Sequence, residues 1–152
     1  ETNPDYQPAI EALKNKKEDL LNKPNRGVRD ENFLINYADK LDADESFLNL
    51  ASAPFGGGVG RLREVCGSVS GMVMVISLAT KKNTLEREDK MALYALEREA
   101  AEKFREKNGA IVCKELLALH PHDDVANAHK PACRDLVGSA IEIIEDMNIF
   151  GE

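Results

Sequence analysis

An all-α protein is what this sequence predicts: a single-domain helical bundle of about five main helices with shorter helices between them. Three observations carry that expectation. Apolar residues recur at three- and four-residue spacings along most of the chain, which is the period of one helix face. No segment gives a competing strand signal. Aromatic residues make up only 5% of the chain and Trp is absent, whereas a β-sandwich draws more heavily on aromatic and β-branched side chains.

Each helix has its own start and stop. Asn3-Pro4-Asp5 opens the first, with Asn as cap and Pro in the first turn, and Tyr6, Ile10, Leu13, Leu20 and Leu21 carry its stripe to about Asn22. Pro24 to Gly27 end it. A second helix is expected from Asp30 to Leu41 with Phe33, Leu34 and Tyr37 inward, and a short third from Asp44 to Ala51, stopped by Pro54. A glycine loop follows, then a helix from about Val65 to Ala79. Thr84 is expected to cap a long helix to about Lys107, with Ala92, Leu93, Leu96, Ala100 and Phe104 facing the core. Gly109 ends it as a left-handed C-terminal residue. Cys113 to Leu119 forms a short helix, His120 to Lys130 a loop, and Pro131 opens a last helix that runs to about Met147.

Size and charge narrow the function classes. A chain of 152 residues, 43% of them hydrophobic, forms one domain over residues 1–152 with its own core. The net charge of −7 repels a phosphate backbone, so nucleic acid is not expected as a partner. The basic runs at Lys14–Lys17 and Lys81–Lys82 are short and read as solvated surface. The longest apolar run, Gly71 to Ala79, falls well short of the roughly 20 residues of a membrane span. The first residue is not Met, which reads as a trimmed start. Three cysteines is an odd number, more natural in a reducing compartment than in a secreted disulfide scaffold, and points to a cytoplasmic setting.

Those cysteines share a local environment. Cys66, Cys113 and Cys133 each fall in the first turn of an expected helix, on its apolar face. Cys66 lines up with Val69, Ser70 and Val73, Cys113 with Leu116 and Leu117, and Cys133 with Val137, Ala140 and Ile144. A free cysteine on an apolar stripe is ordinarily a small core residue. Three in one setting also suit redox or metal chemistry, because a helix N-terminus favours the thiolate, the form that attacks and ligates. His120, His122 and His129 lie between the last two cysteines as C-x6-H-x-H-x6-H-x3-C, which is not a standard zinc spacing.

The stretch GGGVGR, Gly56 to Arg61, allows two readings. Its amides could face an anion, with Arg61 or Arg63 in support. It lacks the Lys-Ser/Thr of a phosphate loop, and no strand precedes it. The steric reading is better: glycine lets backbone approach a neighbour closely, so Gly56, Gly57, Gly58, Gly60 and Gly67 would form the wall of a thiol site. Gly67-x-x-x-Gly71 with Ser68 and Ser70 makes a smooth helix face for another helix, within the chain or from a second subunit.

The segments FGGGVGRLREVCGSVSGMVMV, NGAIVCKELL and PACRDLVGSAIEII together resemble the redox-active family named for its cysteine pattern, C_GCAxxG_C_C, over roughly residues 26 to 147. The resemblance implies an all-helical domain with clustered cysteines that does redox chemistry or holds a metal centre. It makes Cys66 the cysteine of the glycine motif and Cys113 and Cys133 the two later ones. The family's first cysteine should fall near Arg29 or Asp30, and neither is Cys. A three-thiolate site with an outside ligand, a disulfide pair plus one thiol, and a member that kept only the fold all remain open. So do an iron–sulfur cluster, another metal, or no cofactor. The resemblance places Arg29 beside the site, where a positive charge would favour neighbouring thiolates. The leading expectation is a redox or metal-binding homodimer centred on Cys66, Cys113 and Cys133, a thiol- or metal-dependent oxidoreductase if it is an enzyme, with a redox partner left unspecified. The alternatives are an anion- or nucleotide-binding module at Gly56–Arg63 and a structural interaction protein.

Overall fold

The structure, a computed structural model, describes residues 26–119 and 130–151. Five α-helices carry the fold: α1 (Glu45–Ser52), α2 (Gly67–Thr80), α3 (Arg87–Asn108), α4 (Cys113–Leu119) and α5 (Lys130–Asp146). Two 3-10 turns, Phe33–Tyr37 and Ala53–Phe55, precede and follow α1, and no strand occurs among the described residues. The helix expected at 3–22 lies outside the described residues, as do His120, His122 and His129.

Helix α2 is central because its sequence is apolar on most sides. Val69, Met72, Val75 and Ile76 are buried, and α2 packs against α3, α5 and the turn Phe33–Tyr37. A helix that is apolar on most of its circumference is covered on most of it, though Leu78 stays 40% exposed, and each buried side chain contributes about 1.5–3 kcal/mol. Helix α3 presents Leu93, Ala100 and Phe104 to this core, with Leu96 partly covered. Its expected stripe was too wide, since Ala92 is exposed. Helix α5 closes the core with Leu136, Val137, Ala140, Ile141, Ile143 and Ile144. No helix among the described residues is long and apolar enough to cross a membrane.

Helix ends follow side-chain chemistry. Asp44 accepts the Phe47 amide at 3.2 Å and caps α1. Thr84 does not cap α3. Asn83 accepts the Leu85 amide at 3.1 Å, Asp89 reaches back to the Asn83 amide at 3.3 Å, and Glu86 takes the cap position. Two short polar side chains that bond backbone locally out-compete the threonine. Acids in the first turn and bases in the last suit the α3 dipole, and Gly109 ends it left-handed as expected.

The helix expected from Asp30 to Leu41 is largely absent. Phe33, Leu34 and Tyr37 do point inward, but only Phe33–Tyr37 is helical, as a 3-10 turn. Asn36 explains the difference. It is buried, its Oδ1 accepts the amides of Arg29 (2.6 Å) and Asp30 (3.0 Å), and its Nδ2 donates to the carbonyls of Asp30, Asn32 and Phe33. One side chain thereby holds backbone groups that a regular helix would pair with one another.

The smooth face of α2 is filled from within the chain. A Cβ on Gly71 would stand 2.6 Å from the Phe33 Cβ, and one on Gly67 would stand 3.0 Å from the Phe55 carbonyl oxygen. The close neighbours expected of Gly67 and Gly71 are therefore the two 3-10 turns, and those two positions are not open to a second subunit's helix.

At the far side of Phe33 a clamp holds the chain ends of the core. The Tyr37 hydroxyl donates to Glu145 at 3.1 Å, its ring stacks on Phe150 at 5.4 Å, and Arg26 lies 4.9 Å over it. Arg26 also donates to both carboxylate oxygens of Asp39, at 2.5 and 2.9 Å, and to the Asn36 carbonyl at 2.6 Å.

Candidate functional site

The glycine stretch winds the wrong way. Gly57, Gly58, Val59, Gly60 and Arg61 have φ of 64°, 67°, 66°, 57° and 65°. Five consecutive residues of that kind make a left-handed helical turn. Such a turn costs roughly 1–2 kcal/mol per residue that carries a Cβ, and glycine occupies three of the five positions. The turn is tied by the Arg61 amide to the Gly56 carbonyl (3.3 Å), Arg63 to Gly57 (3.1 Å) and Glu64 to Gly58 (3.0 Å). A Cβ on Gly58 would lie 2.7 Å from the Cys113 Cβ and 2.7 Å from the Glu64 nitrogen. The steric reading of the loop holds here: Gly58 is glycine because its backbone presses on a cysteine.

After the turn the chain meets the segment before α4 in a single antiparallel bridge, Val65 with Val112. Cys66 N–H donates to the Ile111 carbonyl at 2.8 Å, Cys113 N–H to Glu64 at 2.5 Å, and Lys114 N–H to Arg63 at 3.2 Å. Cys66 and Cys113 each follow a bridged valine, so they share the face opposite the valines. They are diagonal neighbours across the bridge. Cys133 comes to the same place on the first turns of α5.

All three cysteines line one cavity of about 340 Å³. Its apolar wall includes Phe33, Phe55, Met74, Leu116, Leu117 and Leu136, and its polar lining includes Glu31, Asn32, Ser52, Arg63 and Ser68. Cys66 is 8% exposed; Cys113 and Cys133 are partly exposed. Burial pushes the Cys66 thiol up from its ordinary value, although the Ser68 amide and hydroxyl and the Val69 amide favour its thiolate. Burial also pushes up the Cys133 thiol, Cys66, Cys113 and Glu31 push it further, and Arg63 opposes them. Arg63 Nη1 donates to Cys113 Sγ at 3.8 Å. Among the described residues, no group of three or more His, Cys, Asp or Glu side chains is arranged to hold a metal ion.

The sequence-predicted residues divide accordingly. Gly56, Gly57, Gly58 and Gly67 line the cavity with the three cysteines, while Gly60 and Arg61 do not. Arg29 is turned away: its guanidinium pairs with Glu45 at 3.1 Å and its side chain is 60% exposed. Asp30 instead accepts the Asn32 amide at 2.8 Å. The cavity lining starts at Glu31 and includes neither Arg29 nor Asp30. The guanidinium at the thiols is Arg63, which the sequence had suggested only as support for an anion. Its signal was present as R-x-x-C, three residues before Cys66, but the left-handed turn that folds it onto Cys113 has no simple sequence period.

A family model described as "Putative redox-active protein (C_GCAxxG_C_C)" matches residues 31–147, well over half of the chain. Searches of curated proteins and of solved structures found no significant match.

Proposed function

This chain belongs to the C_GCAxxG_C_C family, and on that premise we propose that it is a thiol-redox protein whose working groups are Cys66, Cys113, Cys133 and Arg63. One observation carries the reading: three cysteines from three separate elements line one cavity, and a guanidinium donates to the sulfur of one of them. The thiolate is the nucleophile in disulfide exchange, and Arg63 offers a charge partner for a thiolate at Cys113. Cys113 is the attacking group in this reading. Its sulfur bonds to one sulfur of an incoming disulfide, the S–S bond breaks, and one half leaves as a thiol. A second cavity cysteine then attacks the Cys113 sulfur and expels the other half. The substrate gains two electrons and two protons, and the protein is left with one disulfide. Cys133 is better suited than Cys66 to this second step, since Cys66 is buried and tied through its amide to Ile111.

The metal reading of the same thiols has less support, because among the described residues no three His, Cys, Asp or Glu side chains are grouped to hold an ion. The test is a redox titration in graded dithiol–disulfide buffers, with alkylation and mass measurement. Two of the three thiols should disappear together at one midpoint, Cys113 among them. Three thiols that oxidise independently, or remain free throughout, would overturn the proposal.

A further inference from the structure

We infer that the cavity takes a small organic disulfide with an apolar body and one negative charge, rather than a disulfide displayed on a folded protein. The inference rests on the thiol-redox reading of the same site and names its substrate class. A concave space of about 340 Å³ is the size of a small-molecule site. Its deepest thiol, Cys66, is 8% exposed, so the site surrounds its ligand instead of offering a flat docking patch. The wall is mostly apolar and includes two phenylalanines, Phe33 and Phe55, which suits an aromatic or aliphatic body.

Charge selects the rest. Among the described residues, the lining holds one cation, Arg63, and one carboxylate, Glu31. Arg63 is half-buried and Glu31 is exposed, so water screens the carboxylate more than the guanidinium. A guanidinium carries five N–H donors, enough to hold Cys113 Sγ and a ligand carboxylate together. A ligand anchored by its carboxylate on Arg63 therefore brings its own sulfur to Cys113. The reaction is the exchange already described: the ligand's S–S bond is reduced, both halves leave as thiols, and the protein is oxidised to a disulfide. Return to the dithiol requires a separate dithiol reductant.

The experiment uses the fully reduced full-length chain and measures thiol–disulfide exchange by stopped flow. The probes are 5,5′-dithiobis(2-nitrobenzoate), which carries a carboxylate on each ring, neutral 2,2′-dithiodipyridine, cationic cystamine, and insulin as a protein disulfide. Each rate is divided by the rate of the same probe with N-acetylcysteine. The anionic aromatic probe should lead the neutral one by about tenfold, the worth of one hydrogen bond to a charged group, and insulin should be slowest. Arg63→Gln should erase the anionic preference. Leu117→Trp should slow both aromatic probes, and Gly56→Trp, at a position with an ordinary φ and open space around an added Cβ, replaces it if that variant fails to fold. Normalised rates that exceed N-acetylcysteine but favour insulin or cystamine, or that ignore both substitutions, would overturn this inference and leave the redox reading standing. Rates no faster than N-acetylcysteine for every probe would overturn both.

Discussion

Phe33 separates two polar assemblies. Its ring centroid lies 5.6 Å from that of Tyr37 on one side, and on the other it lines the thiol cavity. In the clamp around Tyr37, polar groups answer one another: hydroxyl to Glu145, Arg26 to Asp39 in two bonds, aromatic ring to guanidinium. In the cavity, three thiols and Arg63 face a space. Mutual satisfaction of that kind fixes a structure, because a buried group with its partners in place has nothing left to offer. Groups that face a cavity keep their capacity for an incoming molecule. A buried charge or hydroxyl is thus not by itself a mark of chemistry; what it faces decides.

Substitutions can sharpen that contrast. The largest effect is expected at Gly58→Val, on the cavity side. An added Cβ meets backbone at 2.7 and 2.9 Å, and φ of 67° is unfavourable for a branched side chain. Overpacking and backbone strain together should cost about 3 kcal/mol or more, read as a loss of folded protein or a large fall in Tm. On the clamp side, Tyr37→Phe keeps the ring stack and removes the hydroxyl from Glu145. A loss of about 1–2 kcal/mol in denaturant unfolding is expected, with thiol exchange rates unchanged. A change in those rates would show that the two assemblies are coupled through Phe33.

Acidity and alkalinity separate the two sides as well. The Cys66 and Cys133 thiols are raised from 9.0 by burial, so the folded state holds their protons longer than the unfolded state. Their contribution is fully present below about pH 9 and declines above it, at up to about 1.4 kcal/mol per pH unit for each thiol. Tyr37, raised from 10.0 by burial and by Glu145, adds to the decline at higher pH. Asp39 behaves oppositely: Arg26 lowers it from 3.8, so its contribution is present above about pH 4 and lost as pH falls further. Replacing Cys66 and Cys133 by Ala should flatten the alkaline side of a Tm-versus-pH profile and leave the acid side as it was. The smallest effect is expected from Arg29→Gln. Its pair with Glu45 is solvent-exposed, such pairs contribute at most about 1 kcal/mol, and thiol exchange should not change. A slowed exchange would return Arg29 to the site.

Helix periodicity made α1 to α5 readable, because 3.6-residue spacing is a property of the local sequence. It failed where side chains bond backbone. Asn36 converts an expected helix into a short turn, and Asn83 with Asp89 displaces Thr84 from its cap. The cysteines were found from their shared place at helix starts, and Gly58 from the idea of close approach to a facing thiol. The place of Arg63 beside Cys113 was not legible in the sequence, for a physical reason. The path between Gly56 and Cys66 depends on residues with positive φ, including Val59, Arg61 and Arg63, whose side chains give no hint of that conformation.

The left-handed turn also inverts an ordinary rule of mutational tolerance. Glycine introduced into regular structure lowers stability, since it adds freedom to the unfolded chain. At Val59 the native residue is the misfit: it is β-branched, its φ is 66°, and it is 37% exposed, so it has little buried surface to lose. Val59→Gly is therefore expected to raise Tm by a few degrees, relieving about 1–2 kcal/mol of strain against a smaller entropic loss. A saturation scan of residues 57–61 should accordingly rank glycine and asparagine above every β-branched residue, the reverse of the ranking that exposed positions in strands produce.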